Sequence, residues 1–205
     1  MIQPELYVVT GPNAAGKSSF IRSRLNDFNG FEVIMTDVFK DRTKKVFTDA
    51  IQNRKNIVLE TVFNNESFKF FIEDAKRAGY NTSLIVLFLD NPKESMDRVA
   101  SRYLEQNGLE ISKGNVEINF NENFKNVSFY YFYFDRADFI YTGNKNHNEN
   151  VMTFKGMDIM EYKSNTYRFI QAFATYAFSK DRLSKVAFDI INENLDINDK
   201  LESSF

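Results

Sequence analysis

A segment near the N-terminus has the residue types and spacing of a phosphate-binding loop. Residues 11–18 read Gly-Pro-Asn-Ala-Ala-Gly-Lys-Ser, which matches G-x-x-x-x-G-K-[ST] at every fixed position. In such loops backbone N–H groups surround phosphate oxygens, the lysine contacts the β- and γ-phosphates, and the hydroxyl ligates Mg²⁺. The spacing differs from the G-x-G-x-x-G of NAD- and FAD-binding folds. The predicted phosphate-binding residues are Gly11, Pro12, Asn13, Ala14, Ala15, Gly16, Lys17, Ser18 and Ser19, with Ser18 as the Mg²⁺ ligand.

Two acidic residues stand where predicted strands end. Asp37 follows the run 32–36, and Glu60 ends the run 56–60, with Thr61 next in the chain. Ligands of open α/β sheets bind at the carboxyl ends of the strands, so both carboxylates are expected near the γ-phosphate. There a carboxylate can deprotonate or orient a substrate hydroxyl, or hold the Mg²⁺ shell. A helix N-cap for Asp37, a surface position for Glu60 and a capping role for Thr61 are the structural alternatives.

Basic residues after the fourth predicted strand could contact a transferred phosphoryl group. Arg98 and Arg102 are four residues apart and therefore share one helix face. We interpret them as electrophilic groups over the phosphates, or else as part of a solvated helix. Asp90 could be a Walker B acid, but the Asn-Pro pair directly after it favours a turn. The charged run 40–45 is more typical of a solvated helix face than of an anion site.

Short apolar runs alternate with segments of helical periodicity and would position these residues. We expect strands at residues 6–10, 32–36, 56–60, 82–89 and 138–142. We expect helices at residues 18–25, 38–53, 66–78, 93–106 and 120–134. Five buried strands separated by helices predict an α/β P-loop NTPase fold, in which a five-stranded parallel sheet has helices on both faces.

The last quarter of the chain departs from this alternation. Residues 151–162 are predicted to form a single strand or an extended pair, and residues 166–194 to form two helices. We therefore divide the chain into a P-loop core, residues 1–150, and a mainly helical C-terminal appendage, residues 151–205, packed on that core.

Composition excludes several kinds of site and partner. The 205 residues include no cysteine and one histidine, His147, which excludes disulfides, thiolate chemistry and zinc sites built on cysteines or several imidazoles. His147 stands in a polar stretch and is expected in a solvated loop. The formal charge of −2 gives no global positive field for nucleic acid. No apolar run approaches the roughly 20 residues of a membrane span, and no leader pattern is seen, so we expect a cytoplasmic protein without nucleic-acid or membrane partners.

Taken together, these residues resemble the zeta-toxin family of P-loop kinases over residues 5–143. The resemblance rests on residues 6–19, 33–40 and 56–61, on the Ala-Gly-Tyr of residues 78–80, and on the spaced arginines that end at Arg102. The stretch Gly-Pro-Asn-x-Ala-Gly-Lys-Ser also occurs in ABC-type ATPases. The ordered series of strand-end acids and helix arginines is more specific to the family.

The resemblance implies a kinase that uses ATP and Mg²⁺ to phosphorylate a sugar hydroxyl of UDP-N-acetylglucosamine. It also implies that a small helical antitoxin is a possible partner. Asp37 would be the base that faces the hydroxyl, and Arg102 would stabilise the transferring phosphoryl group. The implied catalytic residues are Lys17, Asp37 and Arg102, and the implied substrate contacts are Asp37, Glu60, Thr61, Arg98 and Lys113.

The sequence departs from the family after the second arginine. Many members carry a Gly-Gly-His-x-Val-Pro lid followed by arginines. Here residues 107–115 read Asn-Gly-Leu-Glu-Ile-Ser-Lys-Gly-Asn, and Asn119 and Glu122 stand where arginines are often found. Lys113 is the basic residue nearby. The alternatives are a P-loop kinase for another small metabolite, an ATP-binding module that drives partner association, and a relative that binds ATP without transfer.

Overall fold

The computed structural model describes residues 3–24, 26–106, 112–144 and 148–197. Strands and helices alternate through the first two thirds of the chain. The strands are β1 (Glu5–Thr10), β2 (Glu32–Met35), β3 (Ile57–Thr61), β4 (Asn81–Phe88), β5 (Arg136–Tyr141), β6 (Glu149–Lys155) and β7 (Asp158–Tyr162). The helices are α1 (Lys17–Ser23), α2 (Thr36–Phe39), α3 (Thr43–Gln52), α4 (Phe68–Arg77), α5 (Pro92–Gln106), α6 (Lys113–Tyr130), α7 (Arg168–Ser179) and α8 (Lys185–Glu193).

Within the described residues the strands form one sheet in the order β2-β3-β1-β4-β5-β6-β7. The first five strands pair in parallel, as the alternation of strands and helices predicts. The sheet has seven strands rather than the five that we expected, because β6 and β7 continue it in the antiparallel sense. The α/β P-loop fold is therefore confirmed, and the strand count is corrected.

The additional strands form a hairpin that the sequence pattern left ambiguous. Gly156 lies at the turn with φ of 62°, a left-handed conformation that glycine adopts without the steric cost of a side chain. Val151, Met152 and Phe154 of β6 are buried. Because β6 has buried apolar residues on both faces and β7 does not alternate strictly between polar and apolar residues, periodicity alone could not separate one extended segment from a pair of strands.

The helices cover the sheet with aromatic and aliphatic side chains. Residues 130–134, the aromatic cluster at the end of α6, include the fully buried Tyr131, so this cluster belongs to the core. At the C-terminus, α7 contacts α6 and α8, and α8 contacts β7. Phe173 of α7 and Ile191 of α8 are fully buried and attach this helical pair to the sheet.

One predicted helix is divided in the structure. Residues 38–53 are expected to form a continuous helix, but α2 ends at Phe39, a 3-10 turn covers Lys40–Arg42, and α3 begins at Thr43. The division lies at Lys40, whose φ of 48° is left-handed and interrupts the helical backbone. It bends the chain next to Asp37.

His147 lies outside the described residues, and so do residues 107–111, the first part of the stretch 107–115 that stands where many members of the zeta-toxin family carry a lid. None of the helices described is both long and apolar enough to cross a bilayer.

Candidate active site

The phosphate-binding loop connects β1 to α1, where two glycines meet separate geometric requirements. A Cβ on Gly11 would lie 2.3 Å from the carbonyl oxygen of Leu87 in β4, so a side chain cannot fit there. Gly16, directly before α1, has φ of 89°, which an L residue rarely adopts. The strand–loop–helix context that the motif requires is thus present.

Lys17 is the first residue of α1 and is turned back into the loop. Its Nζ donates hydrogen bonds to the carbonyl oxygens of Gly11, at 3.0 Å, and Pro12, at 3.1 Å. Burial lowers the pKa of the Lys17 ammonium from its ordinary 10.5, while the carboxylates of Glu60 and Asp37 act to raise it. The loop therefore holds a buried ammonium group whose hydrogen bonds, among the described residues, go to backbone carbonyl oxygens.

Ser18 and Glu60 meet at the carboxyl end of β3. The Ser18 hydroxyl donates to Glu60 Oε1 at 3.1 Å, and Glu60 is 6% exposed. Glu60 Oε2 is buried and has no hydrogen-bond partner among the described residues. Burial raises the pKa of Glu60, although Lys17 and the Ser18 hydroxyl act to lower it. The alternative that Glu60 is a surface acid is thus not what the structure shows, because its carboxylate is buried against Ser18 of the phosphate loop.

A cleft of about 640 Å³ opens beside the loop. Asn13 of the loop forms one side, and Asp37, at the start of α2, and Thr61, at the end of β3, line it as well. The Thr61 hydroxyl accepts a hydrogen bond from the Phe63 amide at 3.2 Å. Asp37 is exposed to solvent at this cleft. The cleft therefore brings two of the predicted substrate contacts next to the phosphate loop.

The asparagines of α6 connect this cleft to the loop, a role that the sequence did not predict. Asn119 donates to the Asn13 side chain at 2.8 Å and accepts from Asn64 at 2.8 Å. Asn123 is buried and donates to Thr10 at 3.0 Å. Asn119, Asn123 and Asn126 follow i, i+4, i+7 spacing, a helical pattern that was present in the sequence beside the apolar face.

Arg98 faces the outer side of the loop rather than the cleft. Its guanidinium donates to the carbonyl oxygens of Ala14, at 3.4 Å, of Gly143, at 3.0 Å, and of Thr142. Ser95, one turn earlier on α5, donates to the Asn13 carbonyl at 2.6 Å. Arg98 thus connects the phosphate loop to the segment after β5 by hydrogen bonds to both. The spacing of the two arginines in the sequence does not predict these contacts.

The remaining candidates lie at the periphery of this region. Arg102 is exposed on α5, and its charge is near enough to Lys17 to act on the pKa of that ammonium group. Lys113 is exposed at the start of α6. Asp90 accepts a hydrogen bond from the Phe169 amide in the first turn of α7. Its side chain therefore connects the turn after β4 to α7.

Comparison with known protein families gives one match. The family model described as zeta toxin matches residues 37–146, slightly more than half of the 205 residues. The matched span contains Asp37, Glu60 and both α5 arginines, and it begins after the phosphate loop. No curated protein matches the sequence.

Solved structures resemble the chain in fold. A structure from a study of the PezAT chromosomal toxin–antitoxin system of Streptococcus pneumoniae is 17% identical, with 71% of this chain and 72% of that chain covered and a TM-score of 0.56. A chain of the AvrRxo1-ORF1:AvrRxo1-ORF2 complex is 15% identical, with 85% and 64% covered and a TM-score of 0.58. A chain of the Pnkp1/Rnl/Hen1 RNA repair complex is 20% identical, with 60% and 45% covered and a TM-score of 0.52.

This chain thus spans less than two thirds of the length of the latter two proteins. Identities this low show a common fold and no more. The family match is more specific, because it runs through the strand-end acids and the α5 arginines as one continuous span. On that basis the chain belongs to the zeta toxin family, and it is a phosphotransferase.

Proposed function

We propose that the protein transfers the γ-phosphate of ATP to a hydroxyl of a small acceptor, a nucleotide sugar such as UDP-N-acetylglucosamine. The observation that carries the proposal is the position of the 640 Å³ cleft, which reaches Asn13 of the phosphate loop on one side and Asp37 on the other. A nucleotide on the loop and an acceptor in the cleft would then be neighbours, as transfer requires.

The phosphate loop would hold the triphosphate. When phosphates occupy the loop, the Lys17 ammonium would exchange the carbonyl oxygens of Gly11 and Pro12 for β- and γ-phosphate oxygens. Such an exchange favours a fully charged amine, which the nearby Glu60 and Asp37 carboxylates also promote. A neighbouring protein, the AvrRxo1-ORF1:-ORF2 complex, has been solved with ATP, which supports this assignment.

The residues present fit Mg²⁺. Ser18 offers a hydroxyl oxygen, and Glu60 offers a carboxylate with one buried oxygen that lacks a partner among the described residues. Those residues contain no cluster of three or more acidic or histidine side chains, which suits an ion that is held mainly by phosphates and water. Ser18 and Glu60 would hold the ion, which would supply positive charge against the charge that develops on the phosphates.

Asp37 would act as the general base on the acceptor side. Its carboxylate would take the proton from the acceptor hydroxyl while that oxygen forms a bond to the γ-phosphorus. The bond from phosphorus to the β,γ-bridging oxygen breaks, and ADP leaves. Thr61 would orient the acceptor, and Arg102 and Lys113 would approach the transferring group from α5 and α6. Arg98 would act by holding the loop in place.

A protein partner is also proposed. Two of the similar structures come from the PezAT toxin–antitoxin system and from the AvrRxo1-ORF1:AvrRxo1-ORF2 complex. By this likeness, a small helical antitoxin is the proposed partner of this chain.

The test is ADP release from Mg²⁺-ATP against a panel of nucleotide sugars, nucleosides and simple sugars, with mass spectrometry of the acceptor. UDP-N-acetylglucosamine is expected to stimulate release and to gain one phosphoryl group, and Lys17→Ala and Asp37→Asn are each expected to lower both by about a hundredfold or more. Asp49→Asn, an exposed aspartate on α3 away from the cleft, is the matched control. If no acceptor raises turnover above the Lys17→Ala level, the transfer proposal is wrong and nucleotide-dependent partner binding is the function to examine.

A further inference from the structure

Four asparagine side chains form a continuous chain of hydrogen bonds that ends in the phosphate loop. Asn65 Nδ2 donates to Asn64 Oδ1 at 3.2 Å, and Asn64 Nδ2 donates to Asn119 Oδ1 at 2.8 Å. Asn119 Nδ2 then donates to Asn13 Oδ1 at 2.8 Å. All four residues line the cleft beside the loop. This amide chain therefore follows the wall of the cleft from the segment before α4 to the nucleotide side of the site.

The direction of the amide chain is fixed at its far end by a backbone group that can only donate. The Ser67 amide N–H donates to Asn65 Oδ1 at 2.9 Å, and the Ser67 hydroxyl donates to the same oxygen. Asn65 therefore presents its NH2 group to Asn64, because an amide carries its oxygen and its nitrogen on opposite sides. The same choice follows at Asn64 and at Asn119. At Asn13, the last member, the oxygen is occupied and the NH2 group remains.

The NH2 group of Asn13 is available to a ligand. Within the described part of the chain, the side chain and the carbonyl group of Asn13 take part in two hydrogen bonds, and both use oxygens. The carbonyl oxygen accepts from Ser95, and Oδ1 accepts from Asn119. The motif G-x-x-x-x-G-K-[ST] leaves the side chain at position 13 open, so the motif assigns it no role. An amide NH2 group in this position offers two donors to the cleft.

Helix α6 also holds the turn that carries the middle of the amide chain. Asn123, which is 1% exposed, donates to the carbonyl oxygen of Val62 at 2.6 Å and to Thr10 Oγ1 at 3.0 Å. Asn126 donates to the carbonyl oxygen of Phe63 at 3.0 Å. The turn after β3 is therefore bound to α6 at several points, which keeps the amide chain in place without a ligand.

The cleft otherwise offers little positive charge to a transferring phosphoryl group. Its charged lining residues are Asp37 and Lys40, one of each sign. Phosphoryl transfer spreads negative charge over the γ-phosphate oxygens, and fixed donors directed at that charge lower the barrier. An amide whose oxygen already accepts a hydrogen bond is a better donor, because the members of a hydrogen-bond chain polarise one another.

We propose that the side-chain amide of Asn13 donates a hydrogen bond to a γ-phosphate oxygen, and that the amide chain holds it in the orientation that presents its NH2 group. The inference rests on the proposed kinase function and adds a catalytic residue to it. Asn13 would contact the reacting group. Asn119, Asn64 and Asn65 would be positioning residues that act through Asn13.

The test compares two nucleotides that differ in the γ-phosphate. Binding of β,γ-imido-ATP and of ADP to the full chain, each with Mg²⁺, is measured by calorimetry. Asn13→Ala is expected to weaken the ATP analogue roughly tenfold, in line with the loss of a hydrogen bond to a charged oxygen, and to leave the ADP affinity unchanged. A loosened loop would weaken both nucleotides, so equal weakening would overturn the inference.

A second variant reverses the direction of the amide chain one step before the loop. In Asn119→Asp the carboxylate still accepts from Asn64 but has no hydrogen to donate to Asn13. Asn13 is then expected to turn its NH2 group to that carboxylate and its oxygen to the cleft. The ATP analogue should bind roughly tenfold more weakly, at unchanged ADP affinity. Asn121→Asp, the same change at an exposed position of α6 outside the cleft, is the matched control and should bind both nucleotides as the wild type does.

The double variant separates positioning from charge. If Asn119 acts through Asn13, then Asn119→Asp has nothing left to reorient once residue 13 is alanine. The double variant should therefore bind the ATP analogue as Asn13→Ala does. Additional weakening would mean that the new carboxylate repels the γ-phosphate directly, and it would overturn the positioning role of the amide chain.

Failure of this inference can be told from failure of the kinase function. With an active acceptor, Asn13→Ala should lower kcat roughly tenfold as well, because the bond strengthens as charge develops, and should leave the KM of the acceptor unchanged. A wild-type chain that binds neither nucleotide would overturn the nucleotide assignment of the loop and this inference with it. Nucleotide binding without turnover of any acceptor would contradict the kinase function, while the comparison of the two nucleotides still decides the role of Asn13.

Discussion

The two sides of the site are built differently. On the nucleotide side, three consecutive carbonyl oxygens, those of residues 13–15, each accept a hydrogen bond from a side chain elsewhere in the fold: Ser95, Arg98 and Thr142. On the acceptor side, Asp37 is exposed, and Lys40 has a left-handed backbone. The nucleotide side is thus fixed before any ligand arrives, whereas on the acceptor side the Asp37 carboxylate faces solvent.

This difference separates two kinds of mutational effect. Substitutions that loosen the phosphate loop should change stability and ATP affinity together, because the same bonds serve both. Substitutions in the acceptor cleft should change turnover and acceptor affinity while the free energy of unfolding stays nearly constant.

The largest effect is expected from Lys17→Ala. Loss of the ammonium group removes the main positive charge from the β- and γ-phosphates, so turnover should fall about 10³-fold. Steady-state ADP release and ATP binding measure it. A variant with Arg24→Ala, an exposed cation just after α1, serves as the control and should retain activity. A fall of less than tenfold in Lys17→Ala would contradict the assignment of the loop as the nucleotide site.

Asp37→Asn should lower kcat about 10²-fold, since an amide cannot accept the hydroxyl proton. Its Tm and KM for ATP should match those of the wild type, because Asp37 is exposed and on the acceptor side. A parallel drop in Tm would indicate that Asp37 is a structural cap instead.

Arg98→Ala and Arg102→Ala form a matched pair four residues apart on α5. Arg98→Ala should lower the free energy of unfolding by about 1–3 kcal/mol and raise the KM for ATP, because backbone carbonyls of residues 14, 142 and 143 lose their donor. Arg102→Ala should change stability by less than about 0.5 kcal/mol, because its side chain is exposed. It should instead lower kcat. Denaturant titration and steady-state kinetics separate the two, and equal destabilisation would contradict the distinction.

The smallest effect is expected from the pH dependence of stability. Burial raises the pKa of Glu60 above its ordinary 4.5. The folded state then binds more protons than the unfolded state between those two pKa values, so the free energy of unfolding falls as pH rises through that range. Glu60→Gln should remove this fall and be more stable than the wild type at about pH 8 without Mg²⁺. The advantage should vanish near pH 4, and a variant that is less stable at both pH values would contradict the prediction.

Much of the fold follows from local pattern. Five apolar runs were enough to predict the five parallel strands of the sheet. The spacing of the glycines and the lysine in residues 11–18 was enough to predict the phosphate-binding loop. The local pattern did not predict that β6 and β7 extend the sheet, because β6 is held there by pairing with β5 and not by a periodicity of its own.

The site was less predictable, because its bonds join distant residues. Arg98 and Arg102 look equivalent in sequence, and only the packing of α5 turns one toward the loop and leaves the other exposed. Asn119 bonds to Asn13 and Asn64, which lie 106 and 55 residues away, so its partners could not be inferred from spacing.

The restraints on the phosphate loop also set the order in which the site can form during synthesis. Ser95, Arg98 and Thr142 follow their partners in the loop by 82, 84 and 127 residues. At ribosomal rates of about 5–20 residues per second, the last of them is added roughly 6–25 s after the loop. The growing chain therefore carries the phosphate-loop sequence well before it has the contacts that fix the loop, and the nucleotide site is completed only after β5 has joined the sheet.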